Sequence, residues 1–259
     1  MSVRAKKELG QHFLADENIL GVIGRLAELE GDDVVLEIGP GLGVLTTFLA
    51  DRVSRIHAVE LDRSLEPRLR ASLADRENVE LHFGDALSFD LRTLEPTPQK
   101  LVANLPYNVA TPVVAESLDG LPEVELWCVM VQREVADRFF ATPGTKAYGA
   151  VSVLVQLVAE RTGFRPVSRN VFRPRPNVDS ALVAFRRRGA LPPEYPQVKA
   201  VVGAAFAHRR KQLPNSIELA GLAPGPRVSA ALASIGCEPS VRAESLAPDE
   251  FVALAAALR

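Results

Sequence analysis

The chain has 259 residues, a formal net charge of −2 and 47% hydrophobic residues, a composition that excludes disordered and fibrous proteins. Its two cysteines form no CxxC pair and its four histidines are scattered, so neither a disulfide framework nor a metal site is indicated. Residues 1–14 hold no apolar segment long enough for a signal peptide, and no later run approaches the roughly 18 apolar residues of a membrane span. We therefore expect a soluble, cytoplasmic protein.

Positive charge is concentrated in one stretch of the chain. Residues 161–211 contain twelve lysines and arginines but only two acidic residues, a net charge of +10, so the rest of the chain carries about −12. Such an asymmetry predicts a basic surface for nucleic acid. A solvated, arginine-rich loop region is the alternative that charge alone leaves open.

Apolar periodicity predicts alternating helices and strands from residue 16 onward. A first helix is expected over about 16–29, with Asp16 as its capping residue. Five strands are predicted in the apolar runs DVVLEIG, RIHAVELD, VELHFGDAL, KLVANL and VELWCVMV. Helical segments such as VLTTFLADR and RSLEPRLRASLA lie between them, and this alternation predicts an α/β fold with a parallel, doubly wound sheet.

The C-terminal part is predicted to form a second, smaller domain. After a helix in GAVSVLVQLVAE, the segments ERTGFRPV and SALVAFRRR are expected to close the sheet. The segment GALPPEYP at 189–196 has the composition of a linker, and short helices are predicted beyond it. We therefore expect an α/β domain over 1–189 and a small helical domain over 190–259.

A glycine-rich turn follows the first predicted strand. In LEIGPGLGVLT, Gly39, Gly41 and Gly43 allow the backbone to lie close to a ligand. The dinucleotide fingerprint G-x-G-x-x-G would place its third glycine at position 44, which is Val44, and no G-x-x-x-x-G-K-[ST] motif is present. The spacing fits the related loop of methyltransferases, which receives the amino-acid part of S-adenosylmethionine. A purely structural glycine turn is the alternative.

Carboxylates stand at the ends of the next two predicted strands. Glu60 lies 21 residues after Gly39, where a doubly wound fold places an acid that accepts both ribose hydroxyls. Asp62 is nearby, but the register of the strand end favours Glu60. Asp85 ends the third strand and is expected to accept a hydrogen bond from the adenine amino group of the cofactor. Because ligands bind beyond the carboxyl ends of parallel strands, these features predict one cofactor site.

The fourth strand ends in the tetrapeptide NLPY, residues 104–107. The lone pair of an adenine amino nitrogen is delocalised into the ring, so two acceptors must hold its hydrogens before it can attack a methyl sulfonium. The Asn104 side-chain oxygen and the Leu105 carbonyl offer two such acceptors. Pro106 fixes the turn, and Tyr107 offers a face for the base. The segment is predicted to hold an adenine, with a turn that merely ends a strand as the alternative.

Seven motifs resemble, in order, those of the ribosomal RNA small-subunit adenine dimethyltransferases. They are KKELGQHFLAD, LEIGPGLGVLT, AVELD, GDAL, NLPYNV, FRPRPNVDSALV and FAHRRKQLPNSI, and they span about residues 6 to 217. The resemblance implies a Rossmann-like S-adenosylmethionine-dependent methyltransferase domain with a small all-helical C-terminal domain. It also implies dimethylation of two adjacent adenosines in a hairpin near the 3′ end of 16S rRNA, in the small ribosomal subunit.

Carried over by position, the resemblance assigns roles to individual residues. The cofactor residues would be His12, Leu14, Gly39, Glu60, Asp85 and Asn104, with Gly41 in the same loop. Tyr107 and Phe172 would sandwich the flipped base. Near the RNA phosphates the resemblance places Arg209, Arg210 and Lys211. The family usually has Asn in place of His12, so a contact from this side chain to the cofactor carboxylate becomes pH-dependent.

Other functions remain open at this point. Macrolide-resistance methyltransferases act on large-subunit ribosomal RNA with the same fold and a similar clamp, although NLPY and FRPRPNVDS favour the small-subunit family. The +10 segment disfavours a small-molecule methyltransferase. A non-catalytic assembly factor is expected to have lost the clamp or the glycine loop, and both are intact. No catalytic metal is required, and nothing demands a dimer, so a monomer is expected.

Overall fold

The structure is a computed structural model that describes residue 6 and residues 9–259. Lys7 and Glu8 of the first motif lie outside the described residues, as do residues 1–5 of the segment read for a signal peptide. Contacts divide the chain into two units. The first holds residues up to 136 and residues 160–187, and the second holds 137–159 and 188–259. Segment 137–159, expected in the α/β domain, therefore groups with the C-terminal helices.

The first unit is built around a seven-stranded sheet. Its strands are β2 (Val34–Ile38), β3 (Arg55–Glu60), β4 (Val79–Phe83), β5 (Lys100–Asn104), β6 (Leu126–Gln132), β7 (Ala159–Val167) and β9 (Ser180–Arg187). They lie in the order β4-β3-β2-β5-β6-β9-β7. Strands β2 to β6 pair in parallel, whereas β9 is antiparallel to β6. The predicted doubly wound α/β fold is confirmed.

Helices precede, connect and follow the parallel strands. They are α1 (Glu17–Leu26), α2 (Val44–Ala50), α3 (Glu66–Ser72) and α4 (Ala110–Gly120), and α5 (Arg133–Phe139) contains the boundary at residue 136. Helix α1 begins where the sequence predicts, because the Asp16 side chain accepts a hydrogen bond from the Asn18 backbone N–H. All five residues of β2 are buried, as expected for a strand covered on both faces.

A short two-stranded sheet joins two distant motifs. Strand β1 (Phe13–Leu14) pairs antiparallel with β8 (Phe172–Arg173), and Leu14 lies opposite Phe172. Both side chains of that pair are buried. Two-residue strands carry no periodicity, so nothing in the sequence pattern predicts this pairing.

The Asp62 carboxylate forms hydrogen bonds with residues that precede β1. It accepts hydrogen bonds from Lys6 Nζ at 2.7 Å and from Gln11 Nε2 at 3.0 Å. Burial alone would raise the pKa of Asp62, but these hydrogen bonds and those from Ser64 outweigh it and lower the pKa to about 2. Asp62 is therefore an anchor for the N-terminal segment, and Glu60 as the ligand-binding acid stays a prediction.

The second unit is helical. Its helices are α6 (Ala150–Val158), α7 (Tyr195–Ala207), α8 (Leu213–Leu219), α9 (Gly225–Ser234) and α10 (Pro248–Ala257). Two buried hydroxyls bond within the unit: Tyr148 Oη donates to the Leu246 carbonyl at 2.8 Å, and Ser216 Oγ donates to the Ala204 carbonyl at 2.8 Å. Within the described part of the chain, no helix has both the length and the apolar character needed to cross a bilayer.

Candidate active site

A cavity lies in the first unit at the carboxyl ends of β2 to β5. Its empty volume is about 990 Å³, including the open space at its mouth. The predicted residues that line it are His12, Leu14, Gly39, Gly41, Glu60, Asp85, Asn104, Leu105, Pro106 and Tyr107. Residues from five separate motifs are thus brought to one place, as the strand-end argument predicts.

The glycine turn forms one wall of this cavity. Gly39 and Gly41 have φ angles of +74° and +60°, a left-handed conformation that costs other residues free energy. A Cβ atom at Gly39 would lie 3.2 Å from the ring of Pro106, and one at Gly41 would lie 3.0 Å from the ring of Phe13. The turn therefore packs directly against both NLPY and the N-terminal motif, and larger residues would disturb all three.

The Glu60 carboxylate is positioned by the backbone. Its Oε2 accepts from the Gly41 N–H at 3.0 Å and its Oε1 from the Asp62 N–H at 2.8 Å, and the side chain is buried. Burial raises the pKa of Glu60, although the two hydrogen bonds oppose the shift. Each carboxylate oxygen can accept a further hydrogen bond, so this acid retains the capacity to bind two ribose hydroxyls, and that role stays a prediction.

Asp85 lies in an exposed turn just beyond β4. Its Oδ1 accepts from the Leu87 N–H at 3.0 Å, and its carbonyl accepts from the Phe89 N–H at 2.8 Å. These bonds fix the turn while leaving carboxylate lone pairs at the cavity, where an amino group could donate to them.

Asn104 and Leu105 present acceptors that the protein does not use. Asn104 Nδ2 donates to the His12 carbonyl at 3.0 Å, which turns the side-chain oxygen away from that bond. Leu105 is anchored through its N–H, which donates to the Met130 carbonyl at 3.0 Å. Among the described residues, no donor reaches Asn104 Oδ1 or the Leu105 carbonyl. The two atoms that sequence reasoning selects as acceptors are therefore available to a ligand.

Tyr107 has an aromatic neighbour in the N-terminal motif. Its ring centroid lies 5.1 Å from that of His12, and its hydroxyl is 2.5 Å from Ser180 Oγ. Burial raises the pKa of Tyr107, which keeps the phenol neutral. His12 Nδ1 lies 2.8 Å from the Pro174 carbonyl, and a carbonyl can only accept, so the proton sits on Nδ1. Only His12 Nε2 is left to face a cofactor.

The structure places the Phe172 side chain away from the cavity, unlike the other predicted residues of the first unit. The side chain is fully buried, packs in the hydrophobic core with Leu14 and Leu182, and does not line the cavity. The pairing of β8 with β1 fixes this inward orientation. In this arrangement the ring of Phe172 is not open to a base, and its role as a base-stacking residue stays a prediction.

Glu37 is a site residue that the sequence analysis missed. It lies in β2, is 1% exposed and lines the cavity, and its Oε2 has no hydrogen-bond partner among the described residues. Burial raises its pKa to about 8, with Thr46 opposing the shift and Glu60 adding to it. A buried carboxyl with an orphan oxygen suits a cationic group of a ligand. Its signal in the sequence is an acid inside an otherwise apolar strand.

The three basic residues predicted to meet RNA phosphates belong to the second unit. Arg209, Arg210 and Lys211 follow α7 and are exposed. Arg209 is partly committed to the fold, because its Nη2 donates to the Tyr148 carbonyl at 2.6 Å. Arg210 and Lys211 are therefore the better candidates for contacts with phosphate.

Some of the positively charged side chains in segment 161–211 stabilise the fold by binding backbone carbonyls. Arg187 donates to the carbonyls of Val124, Leu118 and Leu121 at 2.8, 3.0 and 3.1 Å. Its guanidinium also lies 5.0 Å from the centroid of the Trp127 ring. Arg187 thus satisfies carbonyls at the end of α4, and the +10 of the segment overstates the charge available to nucleic acid.

The sheet order, the glycine turn and the acids at successive strand ends together define a Rossmann-like, S-adenosylmethionine-dependent methyltransferase. The orphan oxygen of Glu37 fits the ammonium group of this cofactor. The model of the family described as ribosomal RNA adenine dimethylase matches residues 2–258. The chain belongs to the ribosomal RNA adenine dimethylase family, which confirms the resemblance read from the motifs.

Relatives and solved structures agree with this assignment. The chain is similar to ribosomal RNA small subunit methyltransferase A of Rubrobacter xylanophilus, at 49% identity over 97% of this chain and 94% of that protein. The Geobacter metallireducens protein of the same name is 43% identical over 99% and 96%. The 23S rRNA methyltransferase ErmE has a TM-score of 0.65 at 30% identity, over 95% of this chain and 99% of that chain. A Plasmodium falciparum dimethyladenosine transferase shares the fold, with a TM-score of 0.74 at 22% identity over 94% and 96%.

Proposed function

We propose that this protein is an S-adenosylmethionine-dependent ribosomal RNA adenine N6,N6-dimethyltransferase that modifies two adjacent adenosines in the hairpin near the 3′ end of 16S rRNA. The observation that carries the proposal is the pair of unused acceptors, Asn104 Oδ1 and the Leu105 carbonyl, at the cavity that also holds Glu60. The 49% identity to a small-subunit enzyme, against 30% to the large-subunit enzyme ErmE, supports the small subunit as the substrate.

The two acceptors prepare the adenine amino group for methyl transfer. Each accepts a hydrogen bond from one of the two amino hydrogens. The nitrogen lone pair is then less delocalised into the ring and is free to attack the methyl group. S-adenosylmethionine supplies an electrophilic methyl group when it is bound. Placing nitrogen and methyl carbon in line contributes up to roughly 7–11 kcal/mol in favourable cases. The hydrogen bonds to Asn104 and Leu105 strengthen as the nitrogen becomes positive.

Each of the other cavity residues binds a different part of the cofactor. Glu60 accepts the ribose hydroxyls and Asp85 accepts from the cofactor adenine. The glycine turn lies along the amino-acid part, where ionised Glu37 pairs with the ammonium group. Because the Nδ1 proton of His12 is used at the Pro174 carbonyl, Nε2 would donate to the cofactor carboxylate only in the doubly protonated imidazolium.

The clamp also accounts for product release. Each transfer adds a methyl group to the amino nitrogen and removes one proton. The unmodified base therefore offers two hydrogens to the clamp, the monomethylated base one and the dimethylated base none. The final product loses both hydrogen bonds and leaves most readily.

Recognition of the RNA involves both units. In the first unit, Tyr107 offers an aromatic face for the target base. In the second, Arg210 and Lys211 neutralise phosphates, which makes binding sensitive to salt. We infer that the substrate is 16S rRNA in a small-subunit particle, that the enzyme acts as a monomer and that it works in the cytoplasm.

Methyl transfer to defined ribosomal particles tests the proposal. The protein is incubated with labelled S-adenosylmethionine and with small subunits that lack this modification, with modified small subunits, or with large subunits, and the labelled bases are mapped. We expect label on two adjacent adenosines of 16S rRNA in the unmodified small subunits alone. Label in large-subunit RNA, or binding of small subunits without transfer, would refute the proposal.

A further inference from the structure

Two histidines and a glutamate converge on the outer part of the sheet, among residues that do not line the cavity. Strands β3 and β4 pair so that His57 lies opposite Glu80, with His82 two residues further along β4. His57 Nδ1 is 3.3 Å from His82 Nε2. Glu80 Oε2 is 3.6 Å from His57 Nδ1, and Glu80 Oε1 is 3.8 Å from His82 Nε2. Candidate ligand atoms from all three side chains lie within 4.8 Å of one another.

We propose that His57, Glu80 and His82 bind a divalent transition-metal ion such as Zn²⁺. Two nitrogens that each lie about 2.0–2.1 Å from a tetrahedral Zn²⁺ are separated by about 3.3–3.4 Å. The separation of His57 Nδ1 and His82 Nε2, 3.3 Å, already has this value. The Glu80 carboxylate must rotate to bring one oxygen within reach of an ion held by both nitrogens, because Oε2 is the oxygen near His57 and Oε1 the one near His82. Rotation is open to it, since 43% of its side chain is accessible.

The protonation of His57 favours this site. His57 Nε2 lies 2.9 Å from the Pro96 carbonyl, which can only accept, so the proton is on Nε2 and the lone pair of Nδ1 faces the cluster. Histidines that bind metals usually donate their other N–H to a carbonyl or carboxylate in this way. His57 is fully buried, which fixes the ring in this orientation.

The charges around the cluster set its affinity. Arg55 Nη2 pairs with Glu80 Oε2 at 3.0 Å, so its positive charge opposes a cation. The carboxylate oxygen nearest His82, Oε1, is not the one that Arg55 holds.

A bound ion would stiffen the turn that carries Asp85. The His82 ring lies 5.5 Å from the Phe89 ring, and the Phe89 N–H donates to the Asp85 carbonyl. The ion would therefore link β3 to β4 through its ligands and hold the His82 ring that packs against this turn. The site is structural, because none of its three side chains reaches the cavity.

Titration of tag-free, metal-stripped protein with Co²⁺ tests the site, with visible absorption as a readout of coordination and thermal unfolding in Zn²⁺ as a second readout. We expect one equivalent of Co²⁺ with tetrahedral bands, and at least a tenfold weaker affinity in both His82→Gln and Glu80→Gln. The matched control is His208→Gln, in the second unit, which should bind as the unmodified protein does. Absence of the bands in the unmodified protein, or unchanged affinity in both cluster variants, would show that the three side chains form only a hydrogen-bonded network.

Discussion

Two proline-containing segments, residues 104–107 and 172–180, use their polar groups in opposite ways. The first leaves Asn104 Oδ1 and the Leu105 carbonyl unused at the cavity. In the second, polar groups are taken up by neighbouring residues, since Asp179 Oδ1 accepts from the Arg169 N–H at 3.0 Å and the Pro174 carbonyl lies 2.8 Å from His12 Nδ1, and the ring of Phe172 is buried. Both motifs suggest contact with a base, but only the first retains hydrogen-bonding capacity where a base could enter. Unsatisfied acceptors beside a cavity mark the reactive segment better than the motif does.

The largest effect is expected from truncating the buried ring of the second segment. Phe172→Ala should lower the free energy of unfolding by about 3–5 kcal/mol, because it leaves a cavity in the core. Phe172→Leu keeps most of the volume and should cost less than about 1.5 kcal/mol, with an almost unchanged kcat/KM. Denaturant unfolding and steady-state methyl transfer measure both. A folded Phe172→Leu protein that no longer binds its RNA base would restore Phe172 as a base-stacking residue.

The first segment should respond in activity instead of stability. Asn104→Ala removes one of the two acceptors, and we expect methyl transfer to fall by about 10²–10³-fold, the usual effect of deleting one such hydrogen bond. Single-turnover transfer and filter binding of RNA measure the rate and the affinity separately. RNA binding should be largely unchanged. Asn170→Ala, in the exposed turn beside the second segment, is the matched control and should transfer normally.

The sequence predicts which residues lie at the carboxyl ends of the strands better than it predicts which side chains are buried or in contact. Glu60, Asp85 and Asn104 could be placed because the carboxyl ends of parallel strands meet at one edge of a sheet. The burial of Phe172 depends on the pairing of two-residue strands that have no periodic pattern. His57 and His82 were read as scattered because their proximity arises from the register of two strands, which spacing along the chain does not reveal.

Glu37 is a buried acid with an unpaired oxygen, and it should make the free energy of unfolding depend on pH. Its pKa is about 8 in the folded protein against an ordinary 4.5, so the folded state favours the protonated form. This contribution to stability is complete below pH 4.5 and is lost as pH rises through 8. In the cofactor-free protein we expect a decline of about 2 kcal/mol between pH 5.5 and 7.5 that Glu37→Gln abolishes. Urea unfolding at both pH values measures it, and parallel pH profiles of the two proteins would contradict the assignment.

The smallest effects are expected at Tyr107. Tyr107→Ala removes the aromatic face, so kcat/KM should fall by the equivalent of about 1–3 kcal/mol of stacking. Tyr107→Phe keeps the ring and loses only the hydrogen bond to Ser180, so it should change kcat/KM a few-fold at most. Steady-state transfer with small subunits separates the two variants. Equal losses in both would assign the effect to the hydroxyl and not to the ring.

The proposed activity depends on Asn104 Oδ1 and the Leu105 carbonyl accepting hydrogen bonds from the amino nitrogen of the target adenine. A crystal structure of the protein with S-adenosylhomocysteine and adenosine bound together tests this contact most directly. We predict that the adenosine amino nitrogen lies within hydrogen-bond distance of both Asn104 Oδ1 and the Leu105 carbonyl, facing the cofactor sulfur. An adenosine whose amino group points away from those two oxygens would contradict the account.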